Sequence, residues 1–291
     1  MKKKLKSENL KVRVRIVIFK NSEGMDIYYE DTGEKELQPI IFLHAWGSDH
    51  NDFNYSFKNL SGYRKIVYDH RGFGKSCRPE KSMSLGKLAK DLHEIISFLS
   101  IKEPIVVGYS MGACVIFKYM QVYGDTNIKA FAICDMTPKA ISDDSWNLGI
   151  INGQYGENEF IESISMQFED MVEAYVKLYT DIDPALKGRN SEVLKKVIKM
   201  DLDKNSYYSI TAMWFSMCYE DFRDTVKKIK VPTGLFFAKP GSLVNPESAK
   251  YLENNIKNTY TCIFENSTHS FVNSKPKKFK SELELFLKTL K

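Results

Sequence analysis

Six short and continuous apolar runs, several of them separated by helical patterns, constrain how this chain can fold. They lie at residues 40–43, 65–68, 104–107, 129–134, 233–238 and 260–264. Strands that are apolar on both faces are typical of a parallel sheet covered by helices on each side. The alternation of strands with helices indicates the same arrangement. The sequence therefore predicts an α/β fold with a mostly parallel, helix-flanked sheet.

Helical periods and one hairpin signal accompany these runs. Residues 85–99 carry apolar side chains at helical spacing, beginning with Leu85, Leu88 and Leu92, and residues 111–123 and 277–290 follow the same period. Residues 12–19 and 25–29 flank an Asn-Ser-Glu-Gly turn and predict a β-hairpin.

The stretch 137–226 breaks the alternation, because it shows only helical patterns, at 157–180, 191–200 and 207–219. We interpret it as a helical cap inserted between two parts of an α/β core, 1–136 and 227–291. Inserted segments often carry function, which favours a lid over the alternative of ordinary helical packing.

Composition narrows the class of protein. The net charge is +5, with many basic residues within the first fifteen positions, and this run reads as a solvated tail. We expect no nucleic-acid partner, since such a surface needs basic residues on a folded face with aromatic platforms. No window approaches the roughly 20 apolar residues of a membrane span, and no secretion-signal pattern follows the basic start.

The cysteines indicate the compartment. They are odd in number and dispersed, at Cys77, Cys114, Cys134, Cys218 and Cys262. This pattern favours free thiols in a reducing environment over a disulfide framework or a metal site. We expect a cytoplasmic protein.

The pentapeptide Gly108-Tyr109-Ser110-Met111-Gly112 is the strongest chemical signal. It joins a β-branched strand to a helical pattern, and a serine on such a turn is held with its hydroxyl exposed. The amino end of the following helix favours negative charge there. Ser110 is the predicted nucleophile, and a structural turn serine is the alternative.

A serine needs a base to remove its proton. Of the five histidines, His269 lies in a polar loop between the last strand and the final helix. This is the carboxyl edge of the sheet, where ligands bind in open α/β folds. His93 lies mid-helix and His50 is a weaker competitor, so we predict His269 as the general base.

Taken together, these residues resemble the α/β-hydrolase fold superfamily over nearly the whole chain. Four motifs carry the resemblance in the expected order: Leu-His-Ala-Trp-Gly at 43–47, Asp-His-Arg-Gly-Phe-Gly-Lys-Ser at 69–76, the serine pentapeptide and the late His269. The Ser-Met pair and Trp46 are similar to the serine esterase and cofactor-free haloperoxidase (perhydrolase) branch. The resemblance implies an oxyanion hole formed by the backbone N–H groups of Trp46 and Met111. Ala45 stands in place of the family's usual glycine after His44.

The third triad member departs from the family pattern, which places an acid after the strand that follows the cap. Residues 227–246 contain no Asp or Glu, and Gly241 stands at the expected position. Asp135 ends the strand after the nucleophile helix, where some relatives carry the acid. A capping role for Asp135 is one alternative, and Glu265, Asp144 and Asp181 are others. Our hypothesis is a Ser110–His269–Asp135 triad.

These features predict a serine hydrolase, carboxylesterase-like (EC 3.1.1 type), that cleaves an ester or thioester through an acyl-enzyme. Its partner is a small-molecule substrate with an apolar acyl or aryl group, since the cap sequence is rich in Met and aromatic residues. We expect no cofactor, no metal and no membrane partner, and oligomeric state is left open. No Gly-x-Gly-x-x-Gly follows a strand. A serine-dependent C–C hydrolase or lyase, and a non-catalytic binding module, are the alternatives.

Overall fold

One eight-stranded sheet forms the centre of the computed structural model, which describes residues 15–182, 186, 191–241 and 243–290. The strands are β1 (Arg15–Lys20), β2 (Asp26–Asp31), β3 (Pro39–Leu43), β4 (Arg64–Tyr68), β5 (Ile105–Tyr109), β6 (Ala130–Cys134), β7 (Thr233–Pro240) and β8 (Thr259–Ser267). Their order is β1-β2-β4-β3-β5-β6-β7-β8. The pairs β1–β2 and β2–β4 are antiparallel and the others parallel, so the prediction of a mostly parallel sheet is confirmed. The basic run before Arg15 lies outside the described residues.

Helices cover both faces of this sheet. They are α1 (Asn54–Asn59), α2 (Leu85–Phe98), α3 (Met111–Tyr123), α4 (Glu157–Glu169), α5 (Met171–Ile182), α6 (Ser191–Leu202), α7 (Tyr207–Tyr219), α8 (Arg223–Val226), α9 (Glu247–Asn255), α10 (Phe271–Ser274) and α11 (Pro276–Lys288). Alternate strand residues enter two separate cores. On β3, Ile41 packs in the core that includes α2 and α3, and Ile40 packs in the core that includes α1 and α11. This double burial explains why the strands read as continuous apolar runs.

The segment 157–180, predicted as one helix, is two helices. Asp170 leaves the helical conformation at φ −150° and ψ 101°. Its carboxylate accepts hydrogen bonds from the backbone N–H groups of Val172 and Glu173, which caps α5. The period of apolar residues continues across this break, and the sequence pattern alone therefore joined the two helices.

Helices α4–α8 lie between β6 and β7 and pack over the loops that follow β3 and β4. The Asn205 amide donates to the Gly47 carbonyl oxygen at 2.8 Å, and the Ser206 N–H donates to the Gly72 carbonyl oxygen at 3.1 Å. These loops stand at the carboxyl edge of the sheet. The division into a core and a separate cap stays a prediction. Among the described helices, none combines the length and apolarity needed to cross a membrane.

Candidate active site

Ser110 occupies the turn between β5 and α3 in a strained conformation, with φ 54° and ψ −113°. The close approach of neighbouring backbone demands glycine on either side. A Cβ at position 108 would stand 2.4 Å from the Gly112 carbonyl oxygen, and one at position 112 would stand 2.2 Å from that of Leu43. The sequence motif thus has a steric cause, and it presents the serine at the amino end of α3.

His269 follows β8 and lies directly against Asp135, which follows β6. Its Nδ1 is 2.7 Å from Oδ2 of Asp135. The other carboxylate oxygen of Asp135 accepts the Ala238 N–H at 2.9 Å, and Asp135 is fully buried. The Tyr109 hydroxyl donates to the His269 carbonyl oxygen at 2.9 Å. A carboxylate at Nδ1 favours the tautomer protonated there, which directs Nε2 to the role of base.

The other carboxylates considered for the triad lie elsewhere. Glu265 faces Lys239 at 3.8 Å, and Asp181 accepts from Lys177 at 3.3 Å. Asp144 is exposed. Gly241 adopts a φ of 79° in a turn after β7. Of these candidates, Asp135 is the acid that the structure brings to Nδ1 of the imidazole.

The loop after β3 carries Trp46, one of the two predicted oxyanion donors. Within the described part of the chain, the backbone N–H groups of Trp46 and Met111 have no hydrogen-bond acceptor. Gly47, at φ 71°, is the loop residue in the left-handed region, and Ala45 is not. Alanine is therefore compatible with this loop, and two donors remain for an oxyanion.

Trp46 is also held through its side chain. The indole Nε1 donates to the Ile210 carbonyl oxygen on α7 at 2.8 Å. The ring stacks on Tyr175 of α5, with centroids 4.5 Å apart, and contacts Trp214 at 4.6 Å. The inserted helices thus help to position this loop.

Ser110, His269 and Trp46 line one cavity of about 410 Å³. Its wall is mostly apolar, with Met136, Ile150, Leu178, Tyr179, Trp214, Met217 and Leu243 among the lining residues. Its polar lining includes Ser48, Asp52, Thr268, Ser270 and Asn273. Of the Met and aromatic side chains in segment 137–226, Tyr179, Trp214 and Met217 line this cavity, whereas Phe168 and Phe215 are exposed elsewhere.

The thiol and the two phenols near Ser110 are held neutral. Burial raises the pKa of the Cys218 thiol well above its usual value, and burial with the Asp52 and Asp135 charges does the same for Tyr109. Burial, then Asp52, raises the pKa of Tyr179 to about 12. Because a thiol reacts as its thiolate, Cys218 is a poor nucleophile here, and Ser110 is the better candidate.

The Asp69 motif has structural contacts outside the cavity. Asp69 accepts from the backbone and Nδ1 of His50, both at 2.7 Å, and from the Lys75 N–H at 2.8 Å. Burial opposes the charged imidazole, yet the hydrogen bond to Asp69 and nearby acidic charges raise the pKa of His50. Asp49 completes a group of three that could in principle hold a metal ion. The Asp69 oxygens are already engaged in bracing this loop.

Asp52 is a site residue that the sequence analysis missed. It accepts from the Ala45 N–H at 2.9 Å, from the Ser48 hydroxyl at 2.7 Å and from the Asn273 amide at 3.0 Å. The sequence signal that could have identified Asp52 is an acidic residue a few positions after the loop that carries Trp46. Its partner Asn273 is distant in sequence, and only the fold brings the two together.

Comparisons with known proteins support the fold. A family model described as alpha/beta hydrolase fold matches residues 38–176. The AB hydrolase superfamily protein YisY of Bacillus subtilis is 26% identical over 275 residues, which cover 92% of this chain and 97% of that protein. A bifunctional esterase/perhydrolase of Acinetobacter calcoaceticus is 25% identical over 275 residues, covering 92% and 98%.

Solved structures give the same result. An esterase from Exiguobacterium antarcticum superposes with a TM-score of 0.81 at 26% identity, covering 94% of this chain and 99% of that one. A bromoperoxidase from Bacillus anthracis also reaches 0.81, at 23% identity, covering 94% and 100%. The chain therefore has the α/β-hydrolase fold, and esterases and haloperoxidases are among the proteins to which it is similar.

Proposed function

We propose that this protein is a serine esterase that cleaves carboxylic esters or thioesters with a small apolar acyl or aryl group. The observation that carries the proposal is the 2.7 Å contact between Nδ1 of His269 and the Asp135 carboxylate. His269 and Ser110 line the same mostly apolar cavity. A serine, an oriented imidazole and a buried carboxylate are the parts of an acyl-transfer triad.

In the proposed reaction, Nε2 of His269 removes the Ser110 proton as the hydroxyl oxygen attacks the substrate carbonyl carbon. The carbonyl oxygen becomes an oxyanion that accepts from the Trp46 and Met111 N–H groups, a contribution of about 3 kcal/mol for each such donor. The imidazolium, stabilised by Asp135, then protonates the departing alcohol or thiol. Water, activated by His269, releases the acid from the acyl-enzyme.

We infer that helices α4–α8 act as a cap over this site. Tyr179, Trp214 and Met217 form part of the cavity wall, and Ile210 and Asn205 hold the oxyanion loop. A cavity of about 410 Å³ with a mostly apolar wall suits a short or aromatic acyl group.

Transfer of the acyl group to hydrogen peroxide is a second candidate, favoured by the esterase/perhydrolase relative. It needs the same acyl-enzyme and replaces water by peroxide in the second step. Formation of a peracid from an ester and hydrogen peroxide by the wild type, but not by Ser110→Ala, would support it. The binding-module alternative was motivated by the missing acid at Gly241, and Asp135 at the imidazole weighs against it.

The test is hydrolysis of p-nitrophenyl acetate, butyrate and octanoate by the wild type beside Ser110→Ala. We expect turnover that disappears in the variant and declines for the longest chain. Labelling of the wild type by a fluorophosphonate, absent in Ser110→Ala, reports the nucleophile independently of substrate. A folded wild type that neither turns over any of these esters nor takes the label would overturn the proposal.

A further inference from the structure

Asp52 is the charged acid in the lining of the catalytic cavity, and its hydrogen-bond partners are neutral. It accepts from the Ala45 backbone, the Ser48 hydroxyl and the Asn273 amide, at 2.7–3.0 Å. None of these donors carries a charge. Among the described residues, no Lys or Arg lies within ion-pair distance of Asp52 or lines this cavity.

The negative charge of Asp52 acts on two tyrosines that line the cavity. Burial, and then the Asp52 charge, raises the pKa of both Tyr109 and Tyr179, which lie in β5 and α5. The second acid of the site, Asp135, is fully buried against His269 and does not line the cavity. Among the described residues, the lining therefore contributes one carboxylate without a cationic partner, and the surrounding apolar wall screens its charge less than water would.

We propose that Asp52 is a specificity-determining residue: the cavity turns over uncharged esters and rejects esters that carry a free carboxylate. This inference rests on the proposed esterase function and names its substrate class. An anionic acyl group that enters beside Asp52 finds no Lys or Arg to pair with among the described lining residues. Like charges brought together in a partly desolvated site disfavour binding, and such repulsion is a common source of specificity.

The same contacts order the loop that holds the oxyanion donor. The Asp52 carboxylate fixes the Ala45 N–H, one residue before Trp46, and ties this loop to Asn273 beyond His269. Loss of the charge and loss of loop order must therefore be separated in the test. Asn at position 52 keeps an amide oxygen for the Ala45 N–H and removes the charge, and Glu keeps the charge.

The experiment compares dimethyl adipate with monomethyl adipate, which differ in one ionised carboxylate, by pH-stat titration of the acid released. We expect the wild type to prefer the neutral diester in kcat/KM by at least about tenfold, the factor for two unit charges roughly 8 Å apart at an effective dielectric constant of about 30. Asp52→Asn should lower this preference about tenfold, through KM for the anionic ester. Asp52→Glu should retain most of it, and Asp144→Asn, which removes an exposed carboxylate, should leave it unchanged.

The outcomes are distinct. Equal kcat/KM values for the two esters in the wild type, or an unchanged preference in Asp52→Asn, would overturn the inference and leave the esterase proposal intact. Loss of both activities in Asp52→Asn by the same factor would show that Asp52 only orders the loop, which also overturns it. No hydrolysis of either ester, or of the p-nitrophenyl esters, by a folded wild type would overturn the esterase proposal, and this inference with it.

Discussion

Asp135 combines a buried carboxylate with a left-handed backbone, at φ 51°, one residue beyond β6. We predict that Asp135→Asn lowers kcat about 10³- to 10⁴-fold, because an amide no longer favours the productive tautomer of His269. The Asn side chain still offers an oxygen to the Ala238 N–H, so the folded state should persist. Ester hydrolysis and thermal unfolding measured on the same preparation check both statements. Near-normal turnover would remove Asp135 from the triad.

Gly112 tests the steric basis of the serine turn. A Cβ there would meet the Leu43 backbone at 2.2 Å, whereas at Gly86, in α2, the nearest atom is a Ser84 hydroxyl at 3.6 Å. We predict that Gly112→Ala destabilises the fold by more than about 2 kcal/mol, since backbone must shift. Gly86→Ala should be neutral or stabilising by roughly 0.5–1 kcal/mol. Urea unfolding of both variants decides, and equal effects would contradict the packing argument.

At the residue scale, the sequence predicted those site residues whose chemical role is marked by their neighbours in the chain. Ser110 is marked by its two glycines, and His269 by a polar loop at the right edge. Asp135 was reached by noting which strand ends beside the nucleophile. Asp52 was missed because its contacts involve a backbone N–H and an amide from a remote helix, and neither leaves a local pattern.

Among the elements, the connection between the oxyanion loop and α7 has a matched control. Trp46 and Trp146 each donate an indole N–H to a carbonyl oxygen, at 2.8 and 2.9 Å. We predict that phenylalanine at either position costs about 1 kcal/mol of stability through the lost indole hydrogen bond. Only Trp46→Phe should lower kcat, by several-fold, because, of these two residues, only Trp46 carries a proposed oxyanion donor. Equal kcat values in the two variants would show that the indole bond does not position the loop.

Element types were easier to predict from the sequence than element ends. Helix α3 and helix α7 have the predicted bounds, since each begins and ends at a clear change of pattern. Helix α4 and helix α5 were joined because the Asp170 break depends on one side-chain cap. Helix α9 was not predicted.

At the scale of the whole molecule, an ion-pair cluster joins the hairpin turn, the Asp69 motif and α2. Lys87 contacts Glu23 at 2.7 Å, and Arg71, at 3.0 Å from Glu23, also makes two bonds of 2.6 Å to Asp91. Lys87, and then Arg71, hold the pKa of Glu23 to about 2, against an ordinary value of 4.5. The unfolded chain therefore takes up this proton first as the pH falls. The stabilisation is complete above about pH 4.5 and is lost toward pH 2.

We predict that the difference in unfolding free energy between the wild type and Glu23→Gln narrows as the pH falls from 6 to 2.5. Urea unfolding at a series of pH values measures it. Lys87→Met removes the strongest partner of Glu23, so the free energy of unfolding of this variant should depend less on pH over the same range. A difference that stays constant across this range would show that Glu23 contributes no charge-dependent stability.

Strand order marks the limit of sequence reasoning for the whole molecule. The parallel, helix-flanked sheet followed from the apolar runs, but the exchange of β3 and β4 in the sheet order leaves no local trace. That exchange places β3 directly beside β5, with Leu43 paired to Gly108. The oxyanion loop and the serine turn thereby emerge side by side.

Trp46 combines a backbone N–H that we propose as an oxyanion donor with an indole that donates to the Ile210 carbonyl oxygen on α7. Movement of α7 away from the sheet would break the indole hydrogen bond and disturb the backbone donor, so an open site would be a poor catalyst. Such a coupling is reciprocal. A transition-state mimic that binds the Trp46 backbone N–H would also stabilise the packing of α7 against this loop. Reaction and enclosure would then be one coupled equilibrium, in which the site is catalytically competent when α7 is packed over it.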